Sequence, residues 1–212
     1  MAYDVAMKSE HQHYVVGYGS LLSHDSRKRY SNLDIIPIHV NLHGWQRQWQ
    51  VNSLTENQTY VGVQSKINAS LNAALIPTNS IDDKLRQRES NYEFVQVQED
   101  HIEILGQATR DIRSNLDGCK LWICKPKAND HPSEAFPVNQ SYVDTCLAGA
   151  LESGLKGYAE TFVRNTLGWH HHWVNDRQNP QYPRAAAICD NTLARIDALL
   201  DKCEILQFRI ED

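Results

Sequence analysis

The stretch Tyr14-Val15-Val16-Gly17-Tyr18-Gly19-Ser20-Leu21-Leu22 is the part of the sequence around which the fold is organised. Its first three residues are β-branched or aromatic and favour a buried strand. The glycines that follow permit positive φ angles and let a ligand approach the backbone closely. Converging amides in such a turn can bind a carboxylate or an oxyanion, and Ser20 adds a hydroxyl donor. The pattern therefore predicts either an ordinary tight turn or an anion-binding loop.

Composition restricts the class of protein. With 212 residues, of which 41% are hydrophobic, the chain can form the core of one domain or of one domain with an elaboration. Its net charge of −5 is opposite to that of a typical nucleic-acid binder, so no nucleic-acid partner is expected. Residues 1–13 lack the apolar segment of a signal peptide, and the 5 cysteines have no framework spacing. We therefore expect a cytoplasmic protein with no membrane partner, and the sequence predicts no particular oligomeric state.

Alternating apolar residues predict a β-rich first half. The polar residues 23–32, which follow the opening stretch, are predicted to form a loop. Beyond them, the pattern predicts a hairpin that turns at His43-Gly44. Short strands are predicted at residues 33–42, 45–51, 60–64, 73–77 and 92–99. Residues 102–105 and 121–124 are apolar enough for strands, but the segment between them is polar, so their structure stays open.

Helices are predicted mainly in the second half. One earlier helix is expected to begin at the N-cap Ser80 and to end near Glu89, which then lies at a helix-to-strand junction. Three prolines between residues 125 and 137 indicate an irregular connection. Apolar spacing beyond it predicts helices at residues 142–151, 155–167 and 191–203. We therefore divide the chain into a core of residues 14–125 and a helical C-terminal extension of residues 138–212, packed as one unit.

Other chemical motifs are weak. The glycines of the opening stretch lack the third glycine of a dinucleotide site, and Ser20 lacks the Gly-x-Ser-x-Gly context of a hydrolase nucleophile. His170-His171-His172 does not predict a metal site, because consecutive side chains diverge on a helix and only alternate ones share a face of a strand. We therefore predict no metal and assign the triplet a surface or packing role.

Three features taken together resemble the γ-glutamylcyclotransferase-like family. They are a strand that ends in Tyr18-Gly19-Ser20-Leu21, a later Gly44-Trp45, and Leu85-x-x-Arg88-Glu89-x-x-Tyr92 before an apolar strand. The resemblance covers roughly residues 14–98. It implies an α+β fold with a mixed, barrel-like β-sheet flanked by helices. The C-terminal extension is similar to one seen in some bacterial members, where it could form a lid or a buttress for the sheet.

The resemblance also implies a reaction and a set of site residues. The substrate would be a small γ-glutamyl molecule whose α-amine attacks its own γ-carbonyl, which releases 5-oxoproline and an amine without a cofactor. Glu89 would be the acid/base, because a single carboxyl can move the proton in both steps. The substrate-binding residues would be Tyr18, Gly19, Ser20, Leu21 and Tyr92. A non-catalytic ligand-binding protein on the same fold is the alternative, and a metal hydrolase ranks third.

Overall fold

A computed structural model describes residues 13–31, 33–81, 83–106 and 116–211 of the chain. The strands in these residues are β1 (His13–Gly17), β2 (Ile38–Ser53), β3 (Gln58–Thr78), β4 (Tyr92–Val97), β5 (Ile102–Ile104), β6 (Lys120–Pro126), β7 (Val138–Asn139), β8 (Thr166–Leu167) and β9 (Trp173–Val174). The helices are α1 (His24–Ser31), α2 (Asp83–Arg88), α3 (Gln140–Glu152), α4 (Tyr158–Arg164) and α5 (Asp190–Lys202). Short 3-10 turns lie at Ser20–Leu22, Glu99–His101 and Leu206–Phe208.

The main sheet is mixed and built around two long strands. β2 and β3 have 16 and 21 residues and pair antiparallel. The strand order is β4-β6-β1-β3-β2-β5, and β8 pairs with β2 as well. β1 is antiparallel to β3 and parallel to β6, so its end is enclosed on both sides. The predicted α+β fold, with a mixed, curled sheet flanked by helices, is confirmed.

The predicted hairpin at His43-Gly44 is wrong. Both segments belong to the single strand β2, and the register with β3 shifts between His43 and Trp45. Gly44 has a φ angle of +79°, which a β-bulge can require and which glycine adopts without strain. The glycine therefore kinks the strand without reversing it. The predicted strands at residues 60–64 and 73–77 likewise fuse into β3.

The predicted loop at residues 23–32 is also wrong, because most of it forms α1. The Ser23 hydroxyl accepts a hydrogen bond from the Ser26 amide at 3.3 Å, as an N-cap side chain does. Asp25 lies in the first turn and basic residues in the last, which suits the helix dipole. The helix buries Ser26 and Arg27, so the apolar periodicity that normally predicts a helix is missing.

The remaining predicted elements are found close to their expected places. α2 and β4 flank Glu89, and three helices follow the irregular connection after β6. Residues on both sides of the predicted boundary, such as Leu71 and Phe162, contribute to one core cluster. The division into core and extension stays a prediction. No helix in the described part of the chain combines the length and the apolar composition needed to cross a bilayer.

Candidate active site

A cleft of about 480 Å³ opens beside the turn that follows β1. A recess of about 30 Å³ shares several of its lining residues and reaches the turn itself. The cleft is lined by Ser20, Glu56, Tyr60, Arg88, Glu89, Tyr92, Tyr142, Tyr182 and Arg184, among others. The recess adds Tyr18, Gly19 and Leu21. The structure thus brings every site residue implied by the sequence to these two cavities.

The turn after β1 is closed by its own backbone. The amide of Leu22 donates to the carbonyl of Gly19 at 2.9 Å, and the amide of Ser23 donates to that of Ser20 at 3.2 Å. Within the described part of the chain, the amides of Ser20 and Leu21 donate to no protein group. Two N–H donors at the edge of the recess therefore remain for a ligand.

Gly19 is required by close packing and has no positive φ angle. Its φ is −132°, which corrects the expectation drawn from the glycine pattern. A Cβ atom at this position would lie 2.7 Å from Cγ2 of Val61 and 2.8 Å from the hydroxyl oxygen of Tyr142. Any larger residue would therefore push the turn away from β3 and α3.

A buried arginine, Arg47 of β2, fixes the backbone just before the turn. Its Nη1 donates to the carbonyls of Tyr18 at 3.1 Å and Asn72 at 3.0 Å. Nε donates to the Thr166 hydroxyl at 2.8 Å, and Nη2 donates to the Phe162 carbonyl at 3.1 Å. Burial lowers the pKa of Arg47 to about 10. Arg47 therefore ties the main sheet and α4 to the residue that begins the site.

The two predicted tyrosines are walls of the recess. The hydroxyl of Tyr18 donates to the carbonyl of Cys124, and that of Tyr92 donates to the carbonyl of Val61 at 2.8 Å. Burial raises the pKa of both phenols far above its ordinary value, so both remain neutral. Because each hydroxyl proton is held by a carbonyl, these residues shape the recess and are poorly placed to transfer protons.

Glu89 is the buried carboxyl of the cleft. It directly follows α2, and the amide of Tyr92 donates to its carbonyl at 2.9 Å, which turns the chain into β4. Its side chain is 13% exposed, and Oε1 lies 3.3 Å from Nε of Arg88. Burial raises the pKa of Glu89, although Arg88 and Arg184 oppose the rise. A carboxyl with a raised pKa is suited to accept a proton and to return it.

Arg88 connects Glu89 to the turn. Its Nη2 donates to the hydroxyls of Ser20 at 3.1 Å and Ser26 at 3.3 Å. Its Nη1 donates to the hydroxyl of Ser31. The side chain is only 5% exposed and contacts α1, the turn and Glu89 together. In the sequence Arg88 stands out only as part of the motif, and no role is predicted for it.

A second wall of the cleft, formed by Glu56, Tyr60, Tyr142, Tyr182 and Arg184, was not predicted. Arg184 donates from Nη1 to Oε1 of Glu56 at 2.8 Å and from Nε to the hydroxyl of Tyr182 at 3.3 Å. The Tyr60 hydroxyl also donates to Glu56. Tyr142 of α3 completes this wall through ring contacts 4.8 Å from Tyr60 and from Tyr182. No local motif marks these residues, because they lie far apart in the sequence.

The histidine triplet lies elsewhere. The ring of His171 is 4.2 Å from that of His170 and 5.4 Å from that of His131, and neither these residues nor His172 line the cleft. Among the described residues, no three His, Cys, Asp or Glu side chains are arranged to hold a metal ion. The triplet therefore has no part in this site.

Comparison with solved structures identifies the fold. No family model and no curated protein matches the chain. YkqA from Bacillus subtilis is similar with a TM-score of 0.51 and 16% identity over 71% of this chain, which spans only 52% of YkqA. A gamma-glutamyl cyclotransferase has a TM-score of 0.49 and 12% identity over 87% of this chain and 98% of its own. A yeast gamma-glutamyl cyclotransferase specific to glutathione has a TM-score of 0.41 and 13% identity, over 92% and 94%.

The chain has a γ-glutamylcyclotransferase-like fold, as its motifs implied. At these identities the comparison establishes the fold and does not extend to the reaction or the substrate.

Proposed function

We propose that the protein is a γ-glutamylcyclotransferase-type enzyme. It cleaves a small γ-glutamyl amide or peptide in the cytoplasm and releases 5-oxoproline together with an amine or an amino acid. The observation that carries this proposal is the buried carboxyl of Glu89, which faces the same cavities as the turn at Ser20–Leu22. The reaction needs one acid/base and a set of fixed donors, and it requires no cofactor.

Glu89 acts first as a base and then as an acid. The α-ammonium group of the substrate, with an ordinary pKa of about 8, gives a proton to the Glu89 carboxylate. The free amine attacks the γ-carbonyl, and the new C–N bond closes the five-membered ring. Glu89 then returns the proton to the leaving nitrogen as the original amide bond breaks. The ring nitrogen still carries two protons after the attack, so it gives one to Glu89, which passes it to the departing amine. The amine then leaves as an ammonium ion, and Glu89 ends as a carboxylate.

The turn supplies the donors for negative charge. The amides of Ser20 and Leu21 and the hydroxyl of Ser20 bind the oxyanion that develops on the γ-carbonyl, or the α-carboxylate of the glutamyl group. Gly19 keeps the backbone close to the wall formed by Val61 and Tyr142. Tyr18 and Tyr92 enclose the folded glutamyl group, which brings amine and carbonyl together.

The C-terminal extension faces the leaving group. Tyr182 and Arg184 line the cleft together with Ser20 and Glu89, and in the proposed reaction the departing amine lies against them. Meanwhile α3, whose residues from Gln140 to Ala150 are buried, packs into the core. The extension thus supports the fold as a buttress and also selects the leaving group.

Release of 5-oxoproline is the direct test. The purified chain is incubated with γ-glutamyl amino acids, γ-glutamylamines and glutathione, with the Glu89→Gln variant in parallel. We expect 5-oxoproline from at least one substrate with the native chain and almost none with the variant. Saturable binding without any release would favour the ligand-binding alternative, and no release from the whole panel would refute the proposed activity.

A further inference from the structure

A second cavity, of about 220 Å³, lies next to the turn and away from the cleft lining. It is bordered by Leu22 of the turn, Arg27 of α1, residues 35–37 before β2, and Glu152 at the end of α3. Within the described residues, its lining and that of the cleft share no residue. The proposed reaction does not use this cavity.

Arg27 is a buried cation, and no carboxylate of the described residues is in contact with it. The residue is 2% exposed, and its Nη1 donates to the carbonyls of Leu21 at 2.8 Å and Leu22 at 2.7 Å. Its Nε has no partner in the described part of the chain but is closed off from the cavity, so only the rest of the guanidinium can meet a ligand there. Burial lowers the pKa of Arg27, and the strongest opposing charge is that of Glu152. Because buried charges are normally paired, an anion in the cavity would complete the surroundings of Arg27.

Glu152 supplies a negative charge at the mouth of the same cavity. Its Oε2 accepts a hydrogen bond from the amide of His24 at 2.8 Å, which fixes the carboxylate at the start of α1. No side-chain donor of the described residues reaches it, so it keeps capacity to accept hydrogen bonds from a ligand. His39 adds no second cation, because burial and the charge of Arg27 lower its pKa. The side chain of His24 also lines the cavity, but its Nε2 lies 2.7 Å from Oδ1 of Asp34 and is held by that partner. Arg27 and Glu152 are therefore the positive and negative groups that the cavity offers to a ligand.

The rest of the lining is largely aliphatic. Leu22 is buried at 2% exposure, and Ile36 stands at the mouth with 89% exposure. Ile35 and Pro37 are partly buried between them. When an apolar group of a ligand covers an exposed isoleucine, apolar surface is removed from water, which favours binding. The lining is therefore suited to a ligand with an aliphatic part.

We propose that this cavity binds a free α-amino acid with an aliphatic side chain. The carboxylate lies on Arg27, the ammonium group on Glu152, and the side chain against Leu22 and Ile36. A simple carboxylic acid would leave Glu152 without a cation, and a simple amine would leave Arg27 without an anion. The volume is below the roughly 300–1,000 Å³ of sites for drug-sized ligands, which fits a molecule of this size.

Isothermal titration calorimetry on the full chain tests the site with three related probes. L-leucine carries both charges, isovalerate lacks the ammonium group, and isoamylamine lacks the carboxylate. We expect L-leucine to bind at one site and each analogue to bind at least about tenfold more weakly, which is about 1.4 kcal/mol. Glu152→Gln, which keeps an acceptor for the His24 amide, should weaken L-leucine binding at least about tenfold.

Two further variants locate the bound leucine. Ile36→Ser, at an exposed position, should weaken binding by a smaller factor without affecting folding. Arg184→Gln, in the separate cleft, should leave the affinity for L-leucine unchanged. The proposal is overturned if L-leucine does not bind, if the three probes bind equally, or if Arg184→Gln abolishes binding while Glu152→Gln does not. The assay does not measure 5-oxoproline, so this result and that of the proposed reaction are independent.

Discussion

The two walls of the cleft are built in different ways. The first wall consists of the turn Ser20–Leu22 together with Arg88 and Glu89, and each of these two segments has its own local sequence pattern. The second wall is held by an ion pair between Arg184 and Glu56, which are 128 positions apart. The difference shows that the proposed chemistry lies in short motifs, whereas contacts to the leaving group depend on distant segments.

The two walls also place their carboxyls in opposite electrostatic environments. Burial raises the pKa of Glu89 more than the charges of Arg88 and of Arg184, from the second wall, lower it. Burial alone would also raise the pKa of Glu56, but the Tyr60 hydroxyl and the Arg184 guanidinium outweigh it and lower the pKa. Where two carboxyls of one site are shifted in opposite directions, the raised one is suited to proton transfer and the lowered one to a fixed charge. In the proposed reaction this favours Glu89 as the acid/base, with Glu56 as the anchor of Arg184.

The largest effect is expected from Gly19→Val in the first wall. The new side chain would clash with Val61 and Tyr142, which lie 2.7 and 2.8 Å from the position of a Cβ atom. We expect turnover to be abolished in a chain that circular dichroism shows to be folded. Ser20→Ala should cost less, about 1 to 3 kcal/mol in transition-state binding, because the backbone donors remain. The reverse order of severity would mean that Ser20 has a direct chemical role.

Glu89→Gln should lower kcat by at least about a hundredfold, because it removes general acid-base assistance and keeps the shape of the side chain. Glu93→Gln is the matched control, since Glu93 lies four residues later, does not line the cleft and, among the described residues, pairs with Lys125 at 3.1 Å. The control should retain native kinetics. Native turnover in Glu89→Gln, measured as 5-oxoproline release, would remove Glu89 from the mechanism.

Arg184→Gln tests the second wall. We expect KM to rise by about tenfold with a much smaller change in kcat, because a hydrogen bond to a charged group contributes about 1.5–3 kcal/mol. Arg164→Gln, which breaks an exposed pair with Glu160 at 2.9 Å, is the control and should behave like the native chain. If kcat falls as strongly as in Glu89→Gln, the two walls do not divide chemistry and binding as we propose.

The pH dependence of stability should separate the two carboxyls. Because folding raises the pKa of Glu89, its protonated form stabilises the folded chain. This contribution is complete below the ordinary pKa of 4.5 and is lost as the pH rises through the raised pKa. The lowered pKa of Glu56 makes its contribution present above 4.5 and lost as the pH falls through the lowered pKa. Relative to the native chain, Glu89→Gln should therefore gain stability with rising pH, and Glu56→Gln should lose it. Urea unfolding from about pH 3 to about pH 8 measures the free energy of unfolding of both variants and of the native chain. If the three free energies change with pH in parallel, the opposite pKa shifts of Glu89 and Glu56 are contradicted.

The smallest effect is expected from chelation. Neither wall presents a set of metal ligands among its described residues, and the proposed reaction uses only a carboxyl and hydrogen-bond donors. Dialysis against a chelator should leave the rate of 5-oxoproline release unchanged. Loss of activity with recovery on adding zinc would contradict this and would direct attention to His170, His171 and His131.

The sequence by itself determined the local elements that carry the first wall. Tyr14, Val15 and Val16 form the predicted strand, and Glu89 lies at the predicted junction between a helix and a strand. These elements depend on the spacing of apolar residues and on helix-capping residues. Both can be recognised within a few positions of the sequence. The same rules failed for α1, because its buried face is polar, and at Gly44, because a bulge and a turn both favour glycine.

Only the tertiary structure decided which distant groups meet. Arg47 of β2 reaches the carbonyl of Tyr18, which follows β1, because β1 and β2 lie on either side of β3 in the sheet. Arg88 reaches Ser20 because α2 packs near the turn. Arg184 and Glu56 approach only when the C-terminal extension is folded against the sheet. The physical reason is that burial and Coulomb interactions depend on distance in space, whereas a sequence pattern records only distance along the chain.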